Sequence, residues 1–155
     1  MLDIAFTKAT LPKSGALVIL AAEGETPSGL WAQADEATGG AIGRALKVAD
    51  FKGGKGKTCM ILAPGAELTR VLAVGIGKAA EVTRKILEDA GGAITAALST
   101  ETAVAVAADS LTGAQGAEVA LGAVLRGYRF DRYRTKEKPE DKPKLAKLTV
   151  LTNEA

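Results

Sequence analysis

The sequence predicts an α/β fold with three layers, in which helices cover both faces of a central mixed, largely parallel sheet. Residues 16–22 form an unbroken apolar run of strand length, which is typical of a strand buried on both faces. Strand-length apolar segments also alternate with amphipathic segments of helical period, and no internal repeat interrupts that order. This alternation favours strands that are joined by helical connections and therefore run mostly parallel.

The positions of apolar runs and turn residues define the predicted elements. The strands are expected at residues 3–6, 16–22, 58–62, 70–74, 102–107 and 145–152. The helices are expected at residues 30–36, 41–48, 79–98 and 113–127. A polar loop with two prolines is expected at residues 135–144.

The two long predicted helices each carry an apolar stripe. In the third helix, the residues expected to face the core are Val82, Ile86, Ala90, Ala93, Ile94 and Ala97. Gly91 and Gly92 weaken this helix and allow it to approach the sheet closely. In the fourth helix, the residues expected in the buried stripe are Ala117, Ala120, Leu121, Val124 and Tyr128. Thr112 and Asp109 are the candidate caps of this helix.

Aromatic residues are concentrated at the end of the fourth helix. The chain has one Trp, two Tyr and three Phe, and Tyr128, Phe130 and Tyr133 fall in this one short stretch. Aromatic side chains bury large areas and anchor cores or interfaces. We therefore expect this stretch to fix the helix end against the sheet, with Phe130 at the core's edge or facing another domain.

The composition excludes several classes of chemistry. The chain has no histidine, which rules out Ser-His-Asp and Cys-His catalysis within it. Its single cysteine, Cys59, lies among apolar residues of a predicted strand, so a buried thiol in a reducing compartment is expected rather than a nucleophile. The N-terminus does not resemble a signal peptide, and no apolar window approaches the roughly 18 residues of a membrane span, so a cytoplasmic location is expected.

Basic residues are concentrated near the C-terminal end. Between residues 126 and 147 there are nine basic and four acidic residues, a local charge of +5 in a chain whose net charge is +2. The residues proposed to contact another domain or nucleic acid are Arg129, Phe130, Arg132, Tyr133, Arg134, Lys136 and Lys138. Because acidic residues interrupt the run, a solvated charged loop is the more common meaning of such a segment.

Two glycine-rich stretches resemble phosphate-binding loops. Residues 53–58 lack the first glycine of a P-loop, and they connect a predicted helix to a strand rather than a strand to a helix. Residues 75–80 fit the pattern G-x-G-x-x-A between a predicted strand and helix. No acidic residue follows at the spacing of about 20 that a dinucleotide site requires. A tight glycine turn is therefore favoured, with nucleotide binding as the alternative.

Carboxylates are scattered along the sequence, and the adjacent pairs Glu88-Asp89 and Glu140-Asp141 fall on a predicted solvated helix face and in a charged loop. Without histidine or clustered acids, no catalytic, cofactor-binding or metal-ligating residue is predicted in this chain.

Three stretches together carry a resemblance to a known family. Tyr128-Arg129-Phe130-Asp131-Arg132-Tyr133 follows the last long helix, residues 37–53 contain a helix and glycine loop, and residues 70–78 contain a strand and turn. In this order they resemble the N-terminal domain of the leucyl (cytosol) aminopeptidase family. The resemblance spans most of the chain.

The resemblance implies a macro-domain-like fold for this chain. It also implies a parent enzyme that removes N-terminal residues from peptides, uses two divalent metals (zinc or manganese) and assembles as a hexamer. In the family, the metal ligands lie in a separate C-terminal domain, whose Asn-Thr-Asp-Ala-Glu-Gly-Arg signature has no counterpart here.

We therefore expect residues 1–152 to be a non-catalytic accessory domain that packs on its own catalytic domain, and residues 153–155 to begin the linker. Two alternatives remain open. One is a nucleic-acid-binding module that uses the basic segment, and the other is a macro-like domain that binds ADP-ribose or another nucleotide.

Overall fold

The structure, a computed structural model, describes residues 3–12, 14–24, 26, 29–65, 67–133 and 145–152, with residues 127–133 described by their backbone alone. The described strands are β1 (Asp3–Lys8), β2 (Gly15–Ala22), β3 (Thr58–Gly65), β4 (Leu68–Gly77), β5 (Ala103–Ala107) and β6 (Lys147–Thr152). The described helices are α1 (Gly29–Ala37), α2 (Ala41–Val48), α3 (Arg84–Ala97) and α4 (Gly113–Tyr133), and a short 3-10 helix spans Ala79–Glu81.

The six strands form one sheet in the order β1-β6-β5-β2-β4-β3. Every neighbouring pair is parallel except β3 and β4, which are antiparallel. This arrangement confirms the predicted mixed, largely parallel sheet.

Strand β2 lies at the centre and is buried on both faces. Val18 and Leu20 point into the core beneath α3 and α4, whereas Leu17 and Ile19 point into the core beneath α1 and α2. Each of these four side chains is at most 3% exposed. The unbroken apolar run is therefore a strand buried on both faces, as predicted, since alternate side chains of a strand point to opposite layers.

The connections bring three strand ends to one edge. From β2 the chain passes through α1 and α2 to β3 and β4, and from β4 it crosses through α3 to β5 on the other side of β2. The carboxyl ends of β2, β4 and β5 consequently meet at the same edge, which we call the carboxyl edge. Ligand sites of open α/β sheets form at such a reversal of strand order.

Helix α3 begins later than predicted. Strand β4 continues to Gly77, the 3-10 helix follows, and α3 begins at Arg84 rather than at residue 79. Val82 is extended (φ −68°, ψ 126°), and the Thr83 hydroxyl accepts a hydrogen bond from the Ile86 amide at 3.3 Å. This N-cap fixes the start of the helix, because it satisfies an amide that has no partner within the helix.

The buried faces of both long helices differ from the predicted stripes. In α3 the buried residues include Leu87, Gly91 and Thr95, whereas Ala97 is exposed. In α4 the predicted Ala117 and Leu121 are exposed, while Ala120 is buried as expected. The residues of α4 that the structure buries are Gly116, Val119, Ala120, Gly122 and Ala123. The side chain of Tyr128, which was expected to extend the stripe, lies outside the described residues.

The shift in burial arises because α3 and α4 pack against each other as well as against the sheet. A Cβ built on Gly91 would overlap the carbonyl oxygen of Val119, and one built on Gly122 would overlap that of Glu88. The Thr95 hydroxyl donates to the Ala123 carbonyl at 2.8 Å. The glycines therefore permit a close contact between helices, not the helix–sheet approach that was predicted.

No helix in the described part of the chain is both long enough and apolar enough to cross a membrane.

Candidate functional site

The glycine segment at the end of β4 belongs to the sheet and is covered by the loop before β3. The Gly75 amide donates to the Lys57 carbonyl at 2.7 Å, and the Gly77 amide donates to the Gly53 carbonyl at 2.9 Å. A Cβ on Gly75 would overlap the Gly54 carbonyl oxygen. These amides are therefore already used within the chain and do not form an open phosphate cradle.

The predicted order of strand, loop and helix around residues 75–80 is observed, but Gly75 and Gly77 belong to β4, and a 3-10 helix precedes α3. Gly75 is required by the close approach of another backbone segment, whereas Gly77 has a positive φ of 78° and fits the predicted glycine turn. The loop at residues 53–57 does connect a helix to a strand, as the sequence indicated. It provides no helix N-terminus for a phosphate group.

The N-terminus of α1 lies at the carboxyl edge and carries a carboxylate from the same chain. The Leu30 amide donates to Asp109 Oδ2 at 3.0 Å, and Asp109 follows β5. This negative charge stabilises the positive end of the helix dipole and opposes the binding of a second anion there. Asp109 therefore caps α1, a role that the sequence did not indicate.

Thr112 caps helix α4, as the sequence indicated. The Gln115 amide donates to the Thr112 hydroxyl at 3.1 Å, and the Thr112 amide donates to Gln115 Oε1 at 3.0 Å. This reciprocal pair is a capping box, for which the sequence Thr-x-x-Gln is a recognised signature.

A cavity of about 500 Å³ opens at the carboxyl end of β2, beside the glycine loop. Its apolar walls include Trp31 from α1, Leu46 from α2 and Phe51 from the following loop. Sequence reasoning missed this cavity, because the three side chains come from separate elements and follow no motif. The single tryptophan in a chain poor in aromatic residues was the one signal available.

Cys59 lies half-buried in β3, next to the antiparallel strand β4. Burial raises the pKa of its thiol above the ordinary value of 9.0. The thiol is therefore protonated at neutral pH, which supports the structural role that the sequence indicated.

The acidic residues of α3 are paired on the helix surface. Glu88 Oε1 lies 3.0 Å from Arg84 Nε, and Asp89 Oδ1 lies 3.3 Å from Lys85 Nζ. Among the residues that the structure describes, no group of three or more His, Cys, Asp or Glu side chains could hold a metal ion. None of the described residues therefore forms a cluster for the divalent metals that the resemblance implies for the parent enzyme.

The residues proposed for interdomain or nucleic-acid contact lie outside the described side chains. Arg129, Phe130, Arg132 and Tyr133 are placed by the backbone of α4 alone. Arg134, Lys136 and Lys138 fall in a segment that the structure does not describe. Their contacts remain predictions.

The family model and the relatives that match this chain all point to one family. The N-terminal domain of the cytosol aminopeptidase family matches residues 17–137. The probable cytosol aminopeptidase of Caulobacter vibrioides is 41% identical and is matched over 88% of this chain. The probable cytosol aminopeptidase of Rhizobium etli is 37% identical and is matched over 99% of this chain.

Two solved structures share the fold. A tomato leucine aminopeptidase mutant superimposes with a TM-score of 0.71 at 22% identity, over 99% of this chain and 33% of its own. The bottromycin maturation enzyme BotP, solved in complex with Mn, gives a TM-score of 0.61 at 20% identity, over 91% of this chain and 27% of its own.

The matches show how much of each relative's length this chain spans. It spans 28% of the length of the Caulobacter protein and 32% of that of the Rhizobium protein. Both the family match and the shared fold confirm the resemblance found in the sequence. The chain belongs to the cytosol aminopeptidase family and corresponds to its N-terminal domain.

Proposed function

We propose that this chain is a non-catalytic accessory domain, which packs on the catalytic part of the same polypeptide and shapes its assembly or the access of substrates. The observation that carries the proposal is the family match over residues 17–137, in a chain that spans about a third of its relatives.

The proposal extends to the whole protein. The parent enzyme removes N-terminal residues from peptides, with two divalent metals held by residues beyond this domain, and it works in the cytoplasm as a hexamer. The relatives' names support the aminopeptidase activity and the cytoplasmic location, and the Mn complex of BotP supports the use of a divalent metal. Residues 1–152 form the accessory domain and residues 153–155 begin the linker.

The exposed face of α4 supports a role in packing. Leu121 and Leu125 lie one helical turn apart and are 38% and 41% exposed. One further turn along the backbone of α4, four residues after Leu125, stands Arg129, one of the predicted contact residues. Such a face is suited to contact with another domain, because exposed apolar groups favour burial.

A chimera tests the accessory role. In the Caulobacter relative, the matched N-terminal region would be replaced by this chain, and both hydrolysis of aminoacyl substrates and oligomeric state would be measured. We expect the chimera to retain both properties, and we expect a version carrying Leu121→Glu and Leu125→Glu to lose assembly. A chimera that assembles equally well with both substitutions would contradict the proposed packing face.

The isolated chain gives a simpler test. We expect it to hydrolyse no aminoacyl substrate when Zn²⁺ or Mn²⁺ is added, because its described residues offer no cluster of metal ligands. Turnover above a metal-only blank that persists after repurification would overturn the non-catalytic assignment.

The groups at the carboxyl edge argue against the alternative in which this chain binds ADP-ribose. The amides of Gly75 and Gly77 already have partners, and Asp109 lies at the N-terminus of α1. We expect calorimetric titration with ADP-ribose to show no binding. Saturable binding of ADP-ribose would favour the nucleotide alternative.

A further inference from the structure

The cavity beside β2 has the size and position of a small-molecule site. Its volume of about 500 Å³ lies within the range of roughly 300–1,000 Å³ found for ligand pockets. It opens at the carboxyl end of the central strand, where the strand order reverses. Ligands of open α/β sheets bind at this position, so the cavity is a candidate site on geometric grounds.

The walls of the cavity suit an apolar group. Trp31 and Phe51 are half-buried and contribute aromatic surface, and Leu46, which is 8% exposed, adds an aliphatic surface. Ala21 and Ala22 end the central strand within the same cavity. These small residues leave space between the larger side chains, so a branched or aromatic group would be enclosed on several sides.

One polar group in these walls has no partner. Trp31 Nε1 is buried, and no acceptor among the described residues receives its hydrogen bond. Buried donors in folded proteins nearly always have a partner, because an unpaired buried N–H is costly. Because this atom is inaccessible to water, the N–H does not face the open cavity, and the site offers a ligand the surface of the indole ring alone.

The rim of the cavity carries charges of both signs. Glu23, Lys47 and Lys52 are exposed and line the cavity together. Lys52 Nζ lies 3.7 Å from Asp50 Oδ1, so part of its charge is already balanced, whereas Lys47 has no ion pair among the described residues. A simple anion would face the Glu23 carboxylate, and a simple cation would face the lysines. A zwitterion avoids both repulsions.

We propose that this cavity binds a free α-amino acid with a large apolar side chain. The side chain lies between Trp31 and Phe51, the Glu23 carboxylate accepts from the ligand's ammonium group, and Lys47 donates to its carboxylate. This site is separate from the proposed accessory role, and either assignment can fail without the other.

The single tryptophan provides a direct measurement, because all indole emission from this chain reports on the cavity wall. Purified chain would be titrated with L-leucine, which does not absorb in this range. We expect a saturable change in emission, with a dissociation constant of about 1 mM or lower.

Three further ligands separate the contributions of the ligand's groups. L-leucinamide lacks the carboxylate, 4-methylpentanoate lacks the ammonium group, and L-serine lacks the apolar side chain. Each is expected to bind at least about tenfold more weakly than L-leucine, since each leaves one recognition element unused.

Substitutions in the chain test which residues make these contacts. Lys47→Gln and Glu23→Gln are expected to weaken L-leucine binding at least about tenfold. Lys55→Gln and Glu36→Gln change exposed charges outside the cavity lining and should leave the affinity unchanged.

Several results would overturn the proposal. The first is the absence of a saturable signal with L-leucine up to about 50 mM, by both fluorescence and calorimetry. The second is equal binding of 4-methylpentanoate and L-leucine, which would indicate a site for simple apolar acids. The third is unchanged affinity in both Lys47→Gln and Glu23→Gln, which would place the ligand elsewhere.

Discussion

Gly75 lies where two backbone segments touch, and its identity follows from that contact. Its φ is not in the left-handed region, so conformational freedom does not explain the glycine. The reason is space, because the carbonyl oxygen of Gly54 occupies the position of a Cβ. The neighbouring Gly54 differs, since a Cβ built there would meet Lys57 Cγ at an ordinary 3.4 Å.

Substitution at these two glycines should therefore have unequal effects. We expect Gly75→Ala, and more so Gly75→Val, to lower the free energy of unfolding by about 3 kcal/mol or more, since the loop must move. Gly54→Ala should change it by no more than about 0.5 kcal/mol. Thermal melts would compare the three variants. If Gly75→Val melted like the parent chain but lost affinity for a nucleotide, the structural explanation would be wrong.

The environment of Cys59 predicts its reactivity. Burial favours the neutral thiol and raises its pKa above 9.0, and alkylation requires the thiolate. We expect iodoacetamide at about pH 8 to react more slowly with the native chain than with the chain unfolded in urea. Equal rates in the two states would show that the thiol is not protected.

The same pKa shift has a consequence for stability. Because the folded-state pKa lies above the unfolded value, this contribution to stability is fully present below about pH 9 and falls as the pH rises towards the folded pKa. Cys59→Ala should lack this component of the alkaline loss of stability. Urea unfolding of both proteins across that pH range would measure the difference.

At the scale of elements, the contact between α3 and α4 depends on two glycines that face the opposite helix. Gly91 lies against Val119 and Gly122 lies against Glu88. Gly92 also lies beside α4 but leaves room for a Cβ, whose nearest neighbour would be Arg126 Cβ at an ordinary 3.7 Å. Neighbouring glycines in one helix thus differ in whether the contact excludes a side chain.

These roles predict opposite signs for two neighbouring substitutions. Gly91→Ala should destabilise the chain by about 1–3 kcal/mol, because the added methyl group forces the helices apart. Gly92→Ala should stabilise it by roughly 0.5–1 kcal/mol, because alanine is the better helix former. Urea denaturation of both variants gives the comparison. A loss of stability in Gly92→Ala as large as that in Gly91→Ala would contradict this packing.

At the scale of the whole molecule, the basic C-terminal segment is the feature with an untested role. The local charge of +5 between residues 126 and 147 contrasts with −3 over the rest of the chain. If this segment bound DNA through phosphates, the affinity would fall steeply with salt and depend little on sequence. Interspersed acidic residues reduce that attraction.

We expect DNA binding at physiological ionic strength to be weak, with dissociation constants at or above the range of about 10⁻⁴–10⁻⁶ M for non-specific contacts. Gel-shift series across salt concentrations would compare the parent chain with a variant in which Arg132, Arg134, Lys136 and Lys138 are alanine. Sub-micromolar binding that this variant loses would favour the nucleic-acid alternative over the accessory role.

The sequence by itself determined the layer architecture. The apolar run at residues 16–22 required burial on both faces, and the alternation of strand and helix patterns required a mostly parallel sheet. Thr112 as a cap and the helix at Ala41–Val48 were also predicted, because capping residues and helical periodicity are encoded by neighbouring residues. Local patterns suffice where local geometry decides the outcome.

Only the tertiary structure decided the buried faces of α3 and α4, the covering of Gly75 and the cavity around Trp31. Each depends on contacts between residues far apart in the chain, such as Gly91 with Val119 and Gly75 with Gly54. Small residues give little signal in a hydrophobic pattern, because a glycine can mark a turn, a flexible position or a close backbone contact. Which of these applies is fixed by the segment that packs against it.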